Sequence, residues 1–179
     1  MVRLIVAFLI VFSVSPTPVA SEESGWCESS TSPSGASPCS NLPDWVLRAV
    51  RSSQLPKRYD LNLHLNPFFQ SGDFNGDQKL DVAVLVRNKV TGQTGIVIFL
   101  YGGAKPLVLG AGSSFRNGGP DFNWMDNWSV YPKQEVHKSR WENKSPTPKG
   151  DALWVAKSES ASAFIYWDGK QFVWYQQSD

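Results

Sequence analysis

The hydrophobic and polar positions of this chain alternate with the period of strands over most of its length. Tyr59, Leu61, Leu63 and Leu65 interleave with Asp60, Asn62, His64 and Asn66. A period of two places one set on a buried face and the other in water, which predicts a half-buried strand over 59–66. Residues 81–87 and 95–101 are apolar at nearly every position, the pattern of central strands covered on both faces. Thr91-Gly92-Gln93 suits the connection between them, and Gly102-Gly103 suits a turn into a further strand over 106–109. Residues 152–157 read as another strand. Strands over 163–167 and 171–175 flank Asp168-Gly169, a dipeptide suited to a type I′ hairpin turn. Ahead of the strands, Trp45, Val46, Ala49 and Val50 give one apolar side at helical spacing. There Asn41 is a candidate cap, Pro43 suits the first turn, Asp44 the N-terminal dipole, and Arg48 and Arg51 the last turn. The predicted fold is mainly β (α+β): one antiparallel sheet of about six or seven strands with a short N-terminal helix.

Two stretches lack this periodicity. Residues 68–80 read as a loop. Residues 110–150 are long and irregular; the dense aromatics of 122–131 predict an ordered half, and the polar, Pro-containing piece 133–149 predicts a mobile excursion.

The start of the chain sets the expected compartment. Arg3, an apolar run over 4–14 and the small residues Val19-Ala20-Ser21 form a secretory signal peptide pattern over 1–21. The run is too short to span a bilayer, which takes about 20 residues. The expected product is secreted or periplasmic, with no membrane span. Residues 22–40, rich in Ser, Pro and Gly, read as a flexible arm, and 41–179 as a single folded domain. Cys27 and Cys39 are the only cysteines, and an even count in an exported chain suggests one disulfide. The net charge of +1 with dispersed basic residues argues against nucleic acid as a partner.

Within the loop, Asp73-Phe74-Asn75-Gly76-Asp77-Gln78-Lys79-Leu80-Asp81 carries oxygen-bearing side chains at Asp73, Asn75, Asp77 and Asp81, with the Lys79 carbonyl between the last two. Hard divalent cations take six to eight oxygen ligands at about 2.3–2.6 Å. Acidic side chains at alternate positions of a tight turn can point at one centre, and Gly76 tolerates the positive φ such a turn needs. The cation expected here is Ca²⁺, in a structural role. The pattern departs from an EF-hand, which needs Gly at loop position 6 and Glu at 12; here the Gly is at position 4 and position 12 is Val84. Asp73-Phe74-Asn75-Gly76-Asp77 followed by Asp81-Val82-Ala83-Val84 instead resembles the calcium loops of FG-GAP and VCBS-type repeats, the blades of integrin α-like propellers. The resemblance implies a structural calcium loop joining two strands of a blade. It covers one copy only, with Gln78 where the family usually has a second Gly. A complete propeller needs at least four blades, so the alternative it leaves is a propeller-blade-like unit that oligomerises.

Other candidate chemistry is sparse. His64 and His137 are the only histidines. The chain shows no Gly-x-Ser-x-Gly elbow, His-Glu-x-x-His, phosphate-cradling loop or Cys-x-x-Cys, and an enzyme is not expected. Asp121 and Asp126, beside Trp124 and Trp128, are the one carboxylate pair that could form a glycosidase-like cleft. Eight tryptophans are many for 179 residues. Trp154, Trp167 and Trp174 fall in predicted strands and read as packing. Trp124, Trp128 and Trp141 fall outside them and are candidates for stacking on a ligand. Asn127-Trp128-Ser129 and Asn143-Lys144-Ser145 fit the glycosylation sequon. The sequence thus predicts an exported, calcium-binding, non-catalytic binding, adhesion or scaffold domain with a protein or glycan partner at a cell surface. The alternatives are a carbohydrate-binding module using loop tryptophans, or a hydrolase.

Overall fold

The structure, a computed structural model, describes Trp26 and residues 37–178. The expected signal peptide, most of the arm and Cys27 lie outside the described residues. The protein is mainly β, with two short helices, α1 (Asp44–Arg51) and α2 (Leu55–Arg58). The nine strands form two antiparallel sheets rather than one. The first sheet has the order β1 (Tyr59–Leu61), β3 (Asp81–Asn88), β4 (Thr94–Phe99), β5 (Leu107–Gly110), with β2 (Phe69–Gly72) also pairing β3. The second is a meander of β6 (Asn127–Tyr131), β7 (Ala152–Lys157), β8 (Ala161–Trp167) and β9 (Phe172–Ser178).

The unbroken apolar runs of β3 and β4 have a direct cause: the first sheet is the middle of three layers. Val82, Val84 and Val86 of β3 point toward the helices and pack with Val46, Val50 and Leu55. Ala83 and Leu85 point the other way and pack with Ile96 and Ile98 against Leu153, Val155 and Ile165 of the second sheet. Period-two geometry sends neighbours to opposite faces, so a doubly covered strand must be apolar throughout. The outer face of the second sheet is covered in turn. Val136 packs there with Phe164, Tyr166 and Tyr175, the Tyr175 hydroxyl donates to the Lys144 carbonyl (2.8 Å), and the Ser139 Oγ to that of Gln177 (3.3 Å). The polar piece 133–149 is therefore a cover laid over the sheet, not the excursion its composition predicts.

Several local expectations are corrected. The strand at 59–66 stops at Leu61, because the Asn62 side-chain oxygen accepts the His64 N–H (3.2 Å) and turns the chain. Residues 69–72, predicted as loop, form β2 through pairing with β3. Asn41 does not cap the helix; it ends a 3₁₀ turn over Pro38–Asn41, and Pro43 is the cap position of α1. The β8–β9 connection is a four-residue loop in which the Asp168 carboxylate accepts the N–H groups of Lys170 and Gln171. The core also reaches into the segment read as an arm: Trp26 is fully buried, edge-on to Phe99 with ring centroids 6.2 Å apart. Cys39 is buried and is not a free thiol. No helix among the described residues is long and apolar enough to cross a membrane.

Candidate functional site

The acidic loop connects β2 to β3 where the two sheets meet. Phe74 anchors it, fully buried in the core between the sheets. The loop's carboxylates bind its own backbone. Asp73 accepts the N–H groups of Gly76 (2.7 Å), Asp77 (3.0 Å) and Gln78 (2.9 Å). Asn75 Oδ1 accepts the Asp77 N–H (2.9 Å), and Asp77 Oδ1 accepts that of Lys79 (3.0 Å). The Lys79 ammonium stands 3.8 Å from Asp77 Oδ2 and over the Tyr101 ring.

Asp81 closes the loop from beneath. It is fully buried, with Oδ2 accepting the N–H groups of Phe74 (3.0 Å) and Asn75 (3.3 Å) and Oδ1 that of Tyr101 (2.8 Å). Burial pushes its carboxyl up to about 6, against the lowering pull of those three N–H groups, and the nearby Asp77 charge adds to the rise.

The loop is clasped to the second sheet just before β7. The Asp73 N–H donates to Asp151 Oδ2 (3.0 Å) and the Asp151 N–H returns to the Asp73 carbonyl (2.6 Å). Two glycines make the close approach possible. A Cβ on Gly76, which also has φ +82°, would overlap the Lys149 carbonyl, and a Cβ on Gly150 would overlap that of Asp73.

The carboxylates of Asp73, Asp77 and Asp81 and the amide oxygen of Asn75 are donors of the kind a hard cation requires. Their arrangement is a different matter. Among the described residues no three Asp, Glu, His or Cys side chains are grouped so as to hold a metal ion. In this conformation loop N–H groups occupy the positions facing the carboxylates. Asp73 and Asn75 are half-buried and Asp77 is exposed, so lone pairs at these three remain open to solvent.

Asp121 and Asp126 share no cleft. Asp121 Oδ1 accepts from the backbone and hydroxyl of Thr94 (2.8 and 3.2 Å) at the start of β4. Asp126 Oδ1 accepts from the backbone and hydroxyl of Ser158 (2.8 and 3.0 Å) in the β7–β8 turn. The Ser158 N–H is the main cause holding the Asp126 carboxyl below its ordinary range. His64 Nδ1 lies 2.9 Å from Asn62 Oδ1, and His137 Nδ1 lies 2.9 Å from the Glu135 carbonyl; each has a local structural partner.

The loop tryptophans separate. Trp128 is buried at 4% exposure on the core-facing side of β6, and its indole N–H donates to the Pro67 carbonyl (2.8 Å); it is a core residue and presents no ring to a ligand. Trp124 and Trp141 instead converge on one groove of about 530 Å³, together with Trp174, Glu142, Gln176 and Asn117. Trp124 and Trp174 meet edge-to-face at 6.0 Å, both resting on Phe122. Gly118 lets the Trp174 ring lie close, since a Cβ there would press into it. Trp141 forms the outer wall, 45% exposed, with the Arg140 guanidinium 5.0 Å from its centroid. The Trp174 indole N–H donates to Gln176 Oε1 (2.8 Å), and the Gln176 backbone N–H to Glu142 Oε1 (3.2 Å).

Trp174, which its strand position marks as packing, lines this groove together with Glu142 and Gln176, to which no sequence motif points. Trp174 and Gln176 are two apart in β9, a spacing that places both on one face. Comparison of the chain with protein-family models, curated proteins and solved structures finds no match.

Proposed function

We propose that this is an exported, non-catalytic binding domain that takes a carbohydrate in the groove walled by Trp124, Trp141 and Trp174. The observation that supports it is the composition of that groove: three indole rings beside a carboxylate and planar amides. Indole faces stack on the apolar faces of sugar rings, and the amide and carboxylate groups bond hydroxyls at the ring edge. The test is quenching of tryptophan fluorescence across a glycan panel. Saturable quenching by at least one glycan, lost in Trp141→Ala with the melting temperature unchanged, is the expected result. A panel without binders, or full binding by the variant, overturns the reading.

In the same reading the 73–81 loop is structural and takes Ca²⁺, with Asp73, Asn75, Asp77 and Asp81 binding by side chain and Lys79 by its carbonyl. Two features support this: the all-oxygen donor set, and the loop's place between two paired strands, which is the place the FG-GAP and VCBS-type likeness implies. Ca²⁺ bound to the folded state stabilises it by mass action. The melting temperature is therefore expected to climb from EDTA to about 10 mM Ca²⁺, beyond the weak end of known calcium-loop affinities, and to stay flat in Asp77→Ala. A flat response in both proteins reduces the loop to a self-capped acidic turn. Export with removal of 1–21 and a Cys27–Cys39 bridge complete the proposal; the mass of the secreted protein, before and after reduction, checks both.

A further inference from the structure

A second groove, larger than the tryptophan site and on the opposite side of the first sheet, has a different chemistry. It measures about 860 Å³, within the roughly 300–1,000 Å³ of small-molecule sites. Its cause is topological. α1 and α2 cover the faces of β3 and β4, but β5 is an edge strand and its Val108 is left half-buried. The strip left open is lined by Pro106 and Val108, with Tyr59 and Phe99 buried beneath, and Trp45 and Tyr101 meet edge-to-face at 5.3 Å beside it.

Polar residues line it beside the apolar ones, among them Gln54, Tyr59 and Tyr101, and its charged groups are of one sign. The hydroxyls of Ser52 and Ser53 are spent on the helix carbonyls of Ala49 (3.1 Å) and Val50 (2.8 Å). The charged residues lining the groove are Arg58 and Lys105; no carboxylate stands among its described lining residues. The Arg58 guanidinium lies 5.5 Å from the Tyr59 centroid, and neither cation forms an ion pair among the described residues.

We infer that this groove binds a single-chain anionic amphiphile as a free monomer, its acyl chain along Val108 and Trp45 and its acidic head at Arg58 and Lys105. A neutral sugar or peptide would leave the two cations without a counter-charge, whereas an acidic head pairs with both. A linear acid carries one polar end and needs only the two cations. The inference is independent of the carbohydrate reading and uses none of its residues.

The probe is dodecanoate, kept below its micellar concentration and titrated into the full chain by calorimetry and by tryptophan emission, since Trp45 lines the groove. Dodecanol and dodecyltrimethylammonium run beside it. Saturable one-to-one binding of dodecanoate is expected. It should weaken about ten-fold or more in Arg58→Gln/Lys105→Gln, the loss expected of a charge-assisted contact, and to a similar degree for the alcohol on the native chain. The cationic analogue should bind most weakly. Binding of all three probes with equal affinity overturns the inference, as does no saturable binding of dodecanoate. Capture by anionic vesicles without binding of the monomer also overturns it. If the double variant melts early, the ranking of the three probes on the native chain still decides.

Discussion

The 73–81 loop and the β7–β8 turn solve the same local problem with the same groups. Each aims a carboxylate at backbone N–H, three groups in the first and one in the second, each pairs an Asp with a Lys, and each carries a non-glycine residue in the left-handed region, Gln78 at φ +67° and Glu159 at φ +57°. Their carboxyls nevertheless move in opposite directions. Asp126, exposed, is held below the ordinary range, mainly by the Ser158 N–H. Asp81 accepts three backbone N–H groups against one at Asp126 and is still pushed up to about 6, because it is buried. Three amide dipoles do not offset full burial of a charge, whereas one amide, a hydroxyl and a lysine hold one that solvent still reaches. The first turn therefore holds a charge that costs stability at neutral pH, and the second holds one that does not.

The largest way to break this comparison is Gly150→Ala. Its Cβ would overlap the Asp73 carbonyl, so the clasp must open or the backbone must shift; a loss of about 3 kcal/mol in urea denaturation is expected. Next is the pH dependence of Asp81. Its carboxyl titrates at about 6 in the folded chain against 3.8 as its ordinary value. Between these values the folded state holds the extra proton. The stability gained by protonation is thus fully present below about pH 4, is lost as pH rises to about 6, and is absent above. In EDTA this group should make the protein more stable near pH 4.5 than at pH 7, by about 2 kcal/mol. Asp81→Asn should flatten that slope. At pH 7 it should change stability by only about 1–2 kcal/mol, since removing a buried charge offsets turning an NH₂ toward backbone donors; an unchanged slope in the variant would discard the assignment. Relief of left-handed strain is smaller. Gln78→Gly and Glu159→Gly should each stabilise by about 0.5–1 kcal/mol, net of glycine's added chain entropy. The smallest effect is that of Asp126→Asn, which keeps an acceptor for Ser158; its melting temperature should match that of the native chain.

Legibility in the sequence followed locality. β3 and β4 could be read because coverage on both faces makes each position apolar, and α1 because its apolar residues recur at helical spacing. β2 could not: Phe69-Gln70-Ser71-Gly72 has no alternation, and its register with β3 is what makes it a strand. The partition into two sheets rests on which edges pair, which periodicity does not encode. The acidic loop was visible as a motif, but the docking of Gly150 onto it was not. The tryptophan groove draws on Asn117, Trp124, Trp141, Trp174 and Gln176, gathered from four segments. Trp128, adjacent to that set in sequence, faces the core because the pleat of β6 sends it there.

The clasp between the loop and Asp151 also bears on how the chain assembles. The two aspartates are 78 residues apart, so during synthesis the first sheet emerges with its inter-sheet face uncovered until β7 and β8 follow. Ile96, Ile98, Leu85 and Phe74 form that face, and long-range pairing of this kind closes slowly. A nascent or truncated chain ending before residue 149 would present it to solvent as an adhesive surface. Docking of β7 and β8 is thus the event that turns a sticky half-molecule into a closed one, and mutations that delay it should appear as aggregation in the expressing cell before they appear as a lowered melting temperature.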